Sequence, residues 1–269
     1  MMKAACIVDR VGKGVQAALK TNQLFLGVEQ FEFENADIHP EYVTTVKIAE
    51  HFTGPEVIVS LEARMKMLRH HAAGIVRLRN CGSKCKWERG GQLIERLDGY
   101  KFGKRDGQRL DILVRACDPM APPVLVAEAK LGARNLAGIV TDIDRVFRLI
   151  RMYREVEVLD GHWMYGAVVF HSMLEGEDMD ALTRRSSNLL DAIRAHLREL
   201  SDAHTWLRHE ADLLRPFEVE EPVYGYREFY DDGSYENVFG KDKFAFAPGL
   251  VLLGNADDIT PAAFGRLVA

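Results

Sequence analysis

The sequence lacks any apolar run approaching the roughly 20 residues that a membrane-spanning helix requires. Its apolar runs, such as VLVAEAK and YGAVVF, have the length of strands. Cysteine is also scarce, because Cys6, Cys81, Cys85 and Cys117 are too few in a chain of 269 residues for a disulfide framework. No charged and then apolar leader opens the chain. We therefore expect a protein without a membrane segment, in a reducing cytoplasm.

Several common catalytic and nucleotide-binding motifs are absent as well. The sequence contains no GxSxG nucleophile elbow, no GxxxxGK[ST] phosphate loop and no GxGxxG after a predicted strand. It also has no internal repeat and no low-complexity tract. A serine hydrolase of the elbow type, an ATP-driven translocase and a dinucleotide-binding enzyme are therefore disfavoured.

The charge that is present is unevenly distributed. The net charge is −5, which argues against a general coat for nucleic acid. The segment from Arg64 to Arg115, however, contains fourteen Lys or Arg residues and only five acidic residues. This basic segment suits a polyanionic substrate, and the alternative is an ordinary solvated surface.

Apolar periodicity predicts one α/β core from about residue 37 to residue 214, an N-terminal strand segment (1–36) and a C-terminal β extension (215–269). Within the core, strand-length apolar runs alternate with segments of helical spacing. The predicted elements are a strand at LFLGVEQFEFE, helices at YVTTVKIAEHF and EVIVSLEARMKMLRHHA, short meandering strands over 74–107, strands at LDILV and VLVAEAK, a helix over 135–154, a strand at WMYGAVVF, a helix over 178–200, a shorter helix ending near Leu214, and strands at VYGYREFY and FAFAPGLVLLG around a turn at Asp232-Gly233.

Acidic residues occur on the two strands LDILV and VLVAEAK, which otherwise have core composition. Side chains alternate along a strand, so Glu128 and Lys130 point to the same face. If the two strands pair antiparallel across the 115–123 loop, Asp111 meets Glu128 at the rim of the sheet. Two carboxylates in a low-dielectric rim need a proton, a cation or a divalent metal between them. Oxygen ligands with open positions favour Mg²⁺, with Mn²⁺ as a substitute.

These residues resemble the D-(X)n-E-x-K signature of the PD-(D/E)xK nuclease superfamily, the restriction-endonuclease-like fold. Asp111 is followed after sixteen residues by Glu128-Ala129-Lys130. The predicted order of elements from about residue 40 to residue 172 is similar to the αβββαβ core of that family. The resemblance implies a central mixed sheet flanked by helices. Leu110 stands where the fuller signature has proline, which lowers the specificity of the match.

The resemblance implies a set of catalytic residues. Asp111 and Glu128 would be metal ligands, the backbone carbonyl of Ala129 a further ligand and Lys130 the catalytic lysine. Many family members add a glutamate from the first core helix. Glu62 is our first choice for it and Glu50 the rival.

The resemblance also implies a function and partners. We expect a magnesium-dependent endonuclease that hydrolyses DNA phosphodiesters, preferably in double-stranded DNA, in restriction or antiviral defence. Lys104, Arg105, Arg109 and Arg134 are the predicted nucleic-acid contacts. A homodimer and a partner protein fit the same expectation. The alternatives are a nuclease-like binding scaffold, a partner-activated effector subunit, a hydrolase of small phosphate esters, and a purely structural sheet edge.

Three further patterns carry weaker predictions. Cys81-x3-Cys85 near His70-His71 has a spacing that departs from the usual zinc pair, so free thiols are favoured. Arginines recur every third residue along the predicted helix over 135–154, as a phosphate-contacting ridge or, more simply, as a face paired with nearby acids. His171, after WMYGAVVF, is a candidate auxiliary base.

Overall fold

The computed structural model describes residues 2–32, 40–102, 107–130, 136–175, 179–214, 217–218, 223–230, 232–241 and 244–265. The helices in these residues are α1 (Ala4–Glu32), α2 (Pro40–Glu50), α3 (Met65–Arg79), α4 (Lys84–Asp98), α5 (Leu136–Glu155), α6 (Met179–Ala203) and α7 (Pro261–Phe264). The strands are β1 (Val57–Arg64), β2 (Arg109–Ala116), β3 (Leu125–Lys130), β4 (Tyr165–Glu175), β5 (Arg208–Leu213), β6 (Phe217–Glu218), β7 (Val223–Phe229), β8 (Tyr235–Lys241) and β9 (Phe244–Gly254).

The fold is mixed α/β, with a central mixed sheet flanked by helices. Its strand order is β1-β2-β3-β4-β9-β5, and the short β6 also pairs with β9. Only the β3–β4 pair is parallel among the pairs of this sheet in the described residues, and α5 provides the crossover between these two strands. Strands β7 and β8 form a separate two-stranded sheet.

Helices cover both faces of the main sheet. On one face, α3, α4, α5 and α6 bury an apolar cluster that includes Leu113, Val126 and Val168 of the sheet. On the other face, α1, α2 and α7 pack against Ile112, Ala127 and other sheet residues. Because neighbouring residues of one strand enter opposite clusters, the strands β2, β3 and β4 are buried on both faces, as their continuous apolar runs predict.

Most elements around the predicted site are confirmed. The structure contains the expected helix at α2, the strands β2 and β3, the helix α5, the strand β4 and the helix α6. A turn is present at the predicted Asp232-Gly233, with Gly233 at φ +82°, but it joins β7 to β8 rather than to FAFAPGLVLLG, which is β9 of the main sheet. These segments have long uninterrupted apolar runs or a full helical period, which are the strongest sequence signals.

The helix predicted over EVIVSLEARMKMLRHHA is partly wrong. Its first half is the strand β1, which pairs antiparallel with β2 from Val57 to Arg64, and only Met65 onward is helical. The β-branched residues Val57, Ile58 and Val59 favour an extended backbone, although their spacing with Leu61 also fits a helix.

The short strands predicted over 74–107 are also wrong, because the described part of this segment forms the last six residues of α3 and all of α4. Apolar residues at helical spacing, including Leu68, Ile75 and Leu97, are buried in the core. Ser83 caps α4 by accepting a hydrogen bond from the Lys86 amide. Gly90 and Gly91 lie inside α4, where tertiary packing overrides their low helix propensity, whereas Gly82, at φ +111°, lies in the turn between α3 and α4.

Both ends of the chain differ from the prediction. The first nine residues of LFLGVEQFEFE belong to α1 rather than to a strand, because the buried helical stripe of Ile7, Val11 and Val15 begins a helix that continues to Glu32. Its last two residues lie outside the described part of the chain. The shorter helix expected to end near Leu214 is the strand β5. The expected C-terminal β extension instead supplies β9, which lies inside the main sheet between β4 and β5. No helix among the described residues is both long and apolar enough to cross a membrane.

Candidate active site

The pairing of β2 with β3 brings Asp111 and Glu128 together. The register joins Ile112 to Ala127 and Leu113 to Val126, so the next position along the same register places Asp111 across from Glu128. Asp111 Oδ2 accepts a hydrogen bond of 2.7 Å from the backbone N–H of Ala129. The antiparallel arrangement and the meeting of the two carboxylates are as the sequence predicts.

The carboxyl group of Glu128 is buried on the sheet face that α5 covers. Its side chain is 4% exposed, and Oε1 accepts a hydrogen bond of 2.9 Å from Nη1 of Arg145. Burial, followed by the negative charge of Asp111, raises the pKa of Glu128 to about 9. The Arg145 guanidinium favours the ionised form, but burial and Asp111 outweigh it, and a second carboxylate, Asp142, adds a smaller effect in the same direction as theirs.

Sequence reasoning missed the contribution of Asp142 and Arg145 to this site. Both come from α5, and Asp142 Oδ1 lies 3.2 Å from Arg145 Nη1. Asp142 is 6% exposed, so its role is more than an exposed charge near a helix N-terminus. A sequence signal existed, because Asp142 occupies the apolar stripe between Ile139 and Val146, three residues before Arg145. We call Asp111, Glu128, Asp142 and Arg145 the carboxylate cluster.

Lys130 is the last residue of β3, and its backbone lies opposite Phe170 of β4. The described structure includes the backbone of Lys130 but not its side chain. Ala129 is buried, and its amide is the group that holds Asp111. Strand alternation places Lys130 on the same face as Glu128.

Glu62, the first choice for a carboxylate from the first core helix, lies on a strand instead. The register of β1 with β2 joins Leu61 to Ile112 and Ala63 to Leu110, so Glu62 is across from Asp111. Its backbone has φ +52°, in the left-handed region that a glutamate rarely adopts. The predicted element was wrong, but the chain places this acid on the strand beside Asp111, where its carboxylate is 3.5 Å from Arg109.

Glu50 ends α2 and forms an exposed ion pair with Lys47 at 3.0 Å. Helix α2 packs on the sheet face opposite the carboxylate cluster through Ile48, and Phe52, just after the helix, is buried on the same face. This position favours Glu62 over Glu50 as the additional acid.

One of the predicted nucleic-acid contacts, Arg109, lies at the same end of the sheet. Arg109 begins β2, is half exposed and pairs with Glu62. Lys104, Arg105 and Arg134 lie outside the described residues.

The arginines of α5 have partners within the chain. Arg148 stacks over the Phe102 ring at 5.4 Å, Arg151 pairs with Glu155 at 2.6 Å, and Arg154 lies 5.0 Å from the centre of the Trp206 ring. This pattern favours the simpler of the two predictions for these residues, a helix face paired with neighbouring groups. Arg145 differs, because its partners belong to the carboxylate cluster.

His71 and His171 are both placed away from the predicted catalytic or zinc-binding roles. Both ring nitrogens of His71 are engaged at 3.0 Å, Nδ1 with the Tyr153 hydroxyl and Nε2 with the Pro119 carbonyl oxygen, which disfavours a zinc-binding role with Cys81 and Cys85. His171 follows Phe170 on β4, so strand alternation turns it away from the face of Glu128. Burial lowers the pKa of His171 to about 4. This position does not favour the auxiliary-base prediction.

The described residues contain no group of three or more His, Cys, Asp or Glu side chains arranged to hold a metal ion. The metal ligands predicted from the resemblance are two carboxylates and one backbone carbonyl, a smaller set of side chains. Comparisons of the chain with protein-family models, with curated proteins and with solved structures found no match.

Proposed function

We propose that the protein is a magnesium-dependent nuclease that hydrolyses phosphodiester bonds in DNA. The observation that carries the proposal is the adjacency of Asp111 and Glu128 on β2 and β3, in a cluster of three carboxylates and one guanidinium in which Glu128 and Asp142 are buried. One Arg145 side chain cannot neutralise three ionised carboxylates. Such a cluster therefore attracts a further proton or a divalent cation.

The connectivity of the fold supports the same proposal. Elements α2, β1, β2, β3, α5 and β4 follow one another in the order αβββαβ, with the helices α3 and α4 inserted between β1 and β2. The strands β1 to β4 are neighbours in this order, and only the last pair is parallel. Asp111 lies on the second strand and Glu128-Ala129-Lys130 ends the third, as the PD-(D/E)xK resemblance implies.

The oxygen donors of this site fit Mg²⁺. This ion is usually held by one or two carboxylates and keeps several waters or substrate phosphate oxygens. Asp111, Glu128 and the carbonyl of Ala129 would hold it, which needs no third acidic side chain. When bound, Mg²⁺ supplies a Lewis acid for the scissile phosphate and lowers the pKa of a water.

The chain's own residues position these groups. The amide of Ala129 fixes one oxygen of Asp111, and Arg145 fixes one oxygen of Glu128, so each carboxylate has a defined orientation before substrate binds. Lys130 shares the face of Glu128, where its ammonium group would orient the attacking water or stabilise charge on the phosphate. Glu62, beside Asp111, supplies an additional acid at the same edge.

Incubation of supercoiled plasmid with the protein at low salt tests the proposal. Mg²⁺ or Mn²⁺ should support nicking or linearisation, chelator should abolish it, and both Asp111→Ala and Lys130→Ala should lose it. Asp160→Ala, at an exposed position after α5, is the matched control and should cut like the parent. Cutting that persists in Asp111→Ala would refute the assignment.

The ion pair between Arg145 and Glu128 favours a second candidate, a nuclease-like scaffold that binds nucleic acid and keeps its acids for folding. Thermal unfolding with and without Mg²⁺ separates the two candidates. A working site predicts stabilisation by Mg²⁺ that Asp111→Ala loses, whereas the scaffold predicts no effect of Mg²⁺ on either protein.

A further inference from the structure

The helices α3 and α4 form a hairpin that leaves the sheet beside the carboxylate cluster. Helix α3 begins directly after β1, and the chain returns from α4 to β2 two residues before Asp111. At the base of the hairpin the Met65 amide donates a hydrogen bond of 3.0 Å to the Gln108 carbonyl. The hairpin is therefore anchored at the end of the sheet where Asp111 and Glu62 lie.

The inner face of the hairpin is part of the core, but its outer face is basic. Leu68, Ile75 and Leu97 are buried against the sheet and α5. Between Met65 and Asp98 there are eight Lys or Arg residues and three acidic residues, in a chain whose net charge is −5. The positive charge is thus concentrated on this insertion.

Some of these cations are used within the fold and others are not. Arg79 donates to the backbone carbonyls of Glu157 and Val158, and Arg89 pairs with the Glu157 carboxylate. Within the described part of the chain, five exposed cations of the hairpin have no hydrogen-bond or ion-pair partner for their charged groups: Lys66, Arg77, Lys84, Lys86 and Arg96. Cations of this kind are free to contact an external anion.

The same hairpin exposes large apolar side chains. Trp87 is 63% exposed, Met67 66% and Leu78 58%. Trp87 follows Lys84 by three residues on α4, so the indole and the ammonium group lie on the same side of the helix. Cations beside an exposed aromatic ring are typical of nucleic-acid contact, where the ring packs on sugar or base.

We propose that the outer face of the α3–α4 hairpin binds the backbone of duplex DNA and presents it to the carboxylate cluster. The choice of DNA rests on the proposed nuclease function. Each helix has 15 residues, or about 22 Å, which matches about six phosphates along one strand. Lys66 and Arg77 are three helical turns apart on one face of α3, so they reach separate phosphates.

The test is binding of a labelled duplex by the full chain in chelator, which prevents cleavage, across a range of salt concentrations. Lys84→Glu/Lys86→Glu should lower affinity at least tenfold and reduce the slope of log K against log salt by about 2. Negative charge in the first turn of α4 favours the helix, so this variant should remain folded. Lys13→Glu/Lys20→Glu on α1, with the same change of charge behind the opposite sheet face, is the control and should bind like the parent.

Trp87→Ala gives a second readout. It should weaken duplex binding several-fold without changing the salt slope, because it removes no charge. Duplex binding that neither hairpin variant alters, or that the α1 control alters equally, would overturn the inference. So would a parent protein that prefers single-stranded DNA or RNA to the duplex.

Failure of this inference is distinguishable from failure of the proposed function. Hairpin-dependent duplex binding without plasmid cleavage refutes the nuclease and leaves the DNA surface. Metal-dependent cleavage with unchanged binding in both hairpin variants refutes the surface and leaves the nuclease.

Discussion

Replacing Glu128 by Gln should stabilise the protein increasingly as the pH rises. The pKa of Glu128 is raised to about 9, chiefly by burial and then by Asp111, whereas in the unfolded chain it is near the ordinary value of 4.5. Between these values the folded protein binds one proton more than the unfolded chain, so its stability falls as the pH increases. Glutamine imitates the protonated form and can still accept the hydrogen bond from Arg145.

The magnitude follows from proton linkage. One excess proton changes the free energy of unfolding by about 1.4 kcal/mol per pH unit. The difference between Glu128→Gln and the parent should therefore grow by up to about 4 kcal/mol between about pH 5 and pH 8. The Arg145 ion pair makes this an upper limit.

Urea unfolding of both proteins in chelator, at several pH values, measures this difference. Glu95→Gln, at an exposed position of α4, controls for the loss of one negative charge. A difference that stays constant from pH 5 to pH 8 would show that Glu128 is ionised throughout, and the charge argument for a cation at this site would fail. A slope that Mg²⁺ flattens in the parent would support metal binding, since a bound cation favours the ionised carboxylate.

Three further substitutions test the packing and electrostatics of the site and its supports. Arg145→Gln should destabilise the fold by on the order of 3 kcal/mol, because it removes the cation between Glu128 and Asp142. Since the pKa of Glu128 is about 9, the loss should be similar at pH 5 and pH 8 and larger at pH 10, and a smaller loss at pH 10 than at pH 8 in urea unfolding would contradict this. Glu62→Gly should raise the free energy of unfolding by up to about 1 kcal/mol, because glycine adopts φ +52° without strain. Plasmid cleavage should fall if the Glu62 carboxylate takes part in it. A variant less stable than the parent would argue against strain at this position. Gly14→Ala should lower the free energy of unfolding by about 1–3 kcal/mol, because the added Cβ would lie 2.5 Å from the Ile48 backbone. Gly74→Ala is the control, because its added Cβ would have no atom within 4 Å, and it should be neutral or stabilising in the same unfolding assay.

The elements that carry the site were predictable because each gives one strong signal. Strands β2 and β3 are unbroken apolar runs, and the proline-containing loop between them is short enough for antiparallel pairing. The adjacency of Asp111 and Glu128 follows from that pairing alone. The crossover helix α5 and the parallel strand β4 follow from their periodicities.

The segment between β1 and β2 was not predictable in the same way. Val57, Leu61, Met65 and Leu68 satisfy a helical period, yet the chain changes from strand to helix in the middle of that pattern. Glycines inside α3 and α4 resemble turn residues in sequence, and only tertiary packing shows that the helix continues through them. Arg145 was missed for a related reason, because its partner Glu128 lies on another element and no local spacing reveals the pair.

The unusual backbone of Glu62 connects the architecture of the hairpin with the chemistry of the site. A left-handed residue interrupts the ladder with β2 two residues before β1 ends, just where the chain turns into α3. Such a conformation costs on the order of 1–2 kcal/mol and persists only where its surroundings determine it. Here it directs the chain into the basic hairpin and leaves an acid opposite Asp111. The same turn therefore sets the position of the proposed DNA surface relative to the carboxylates.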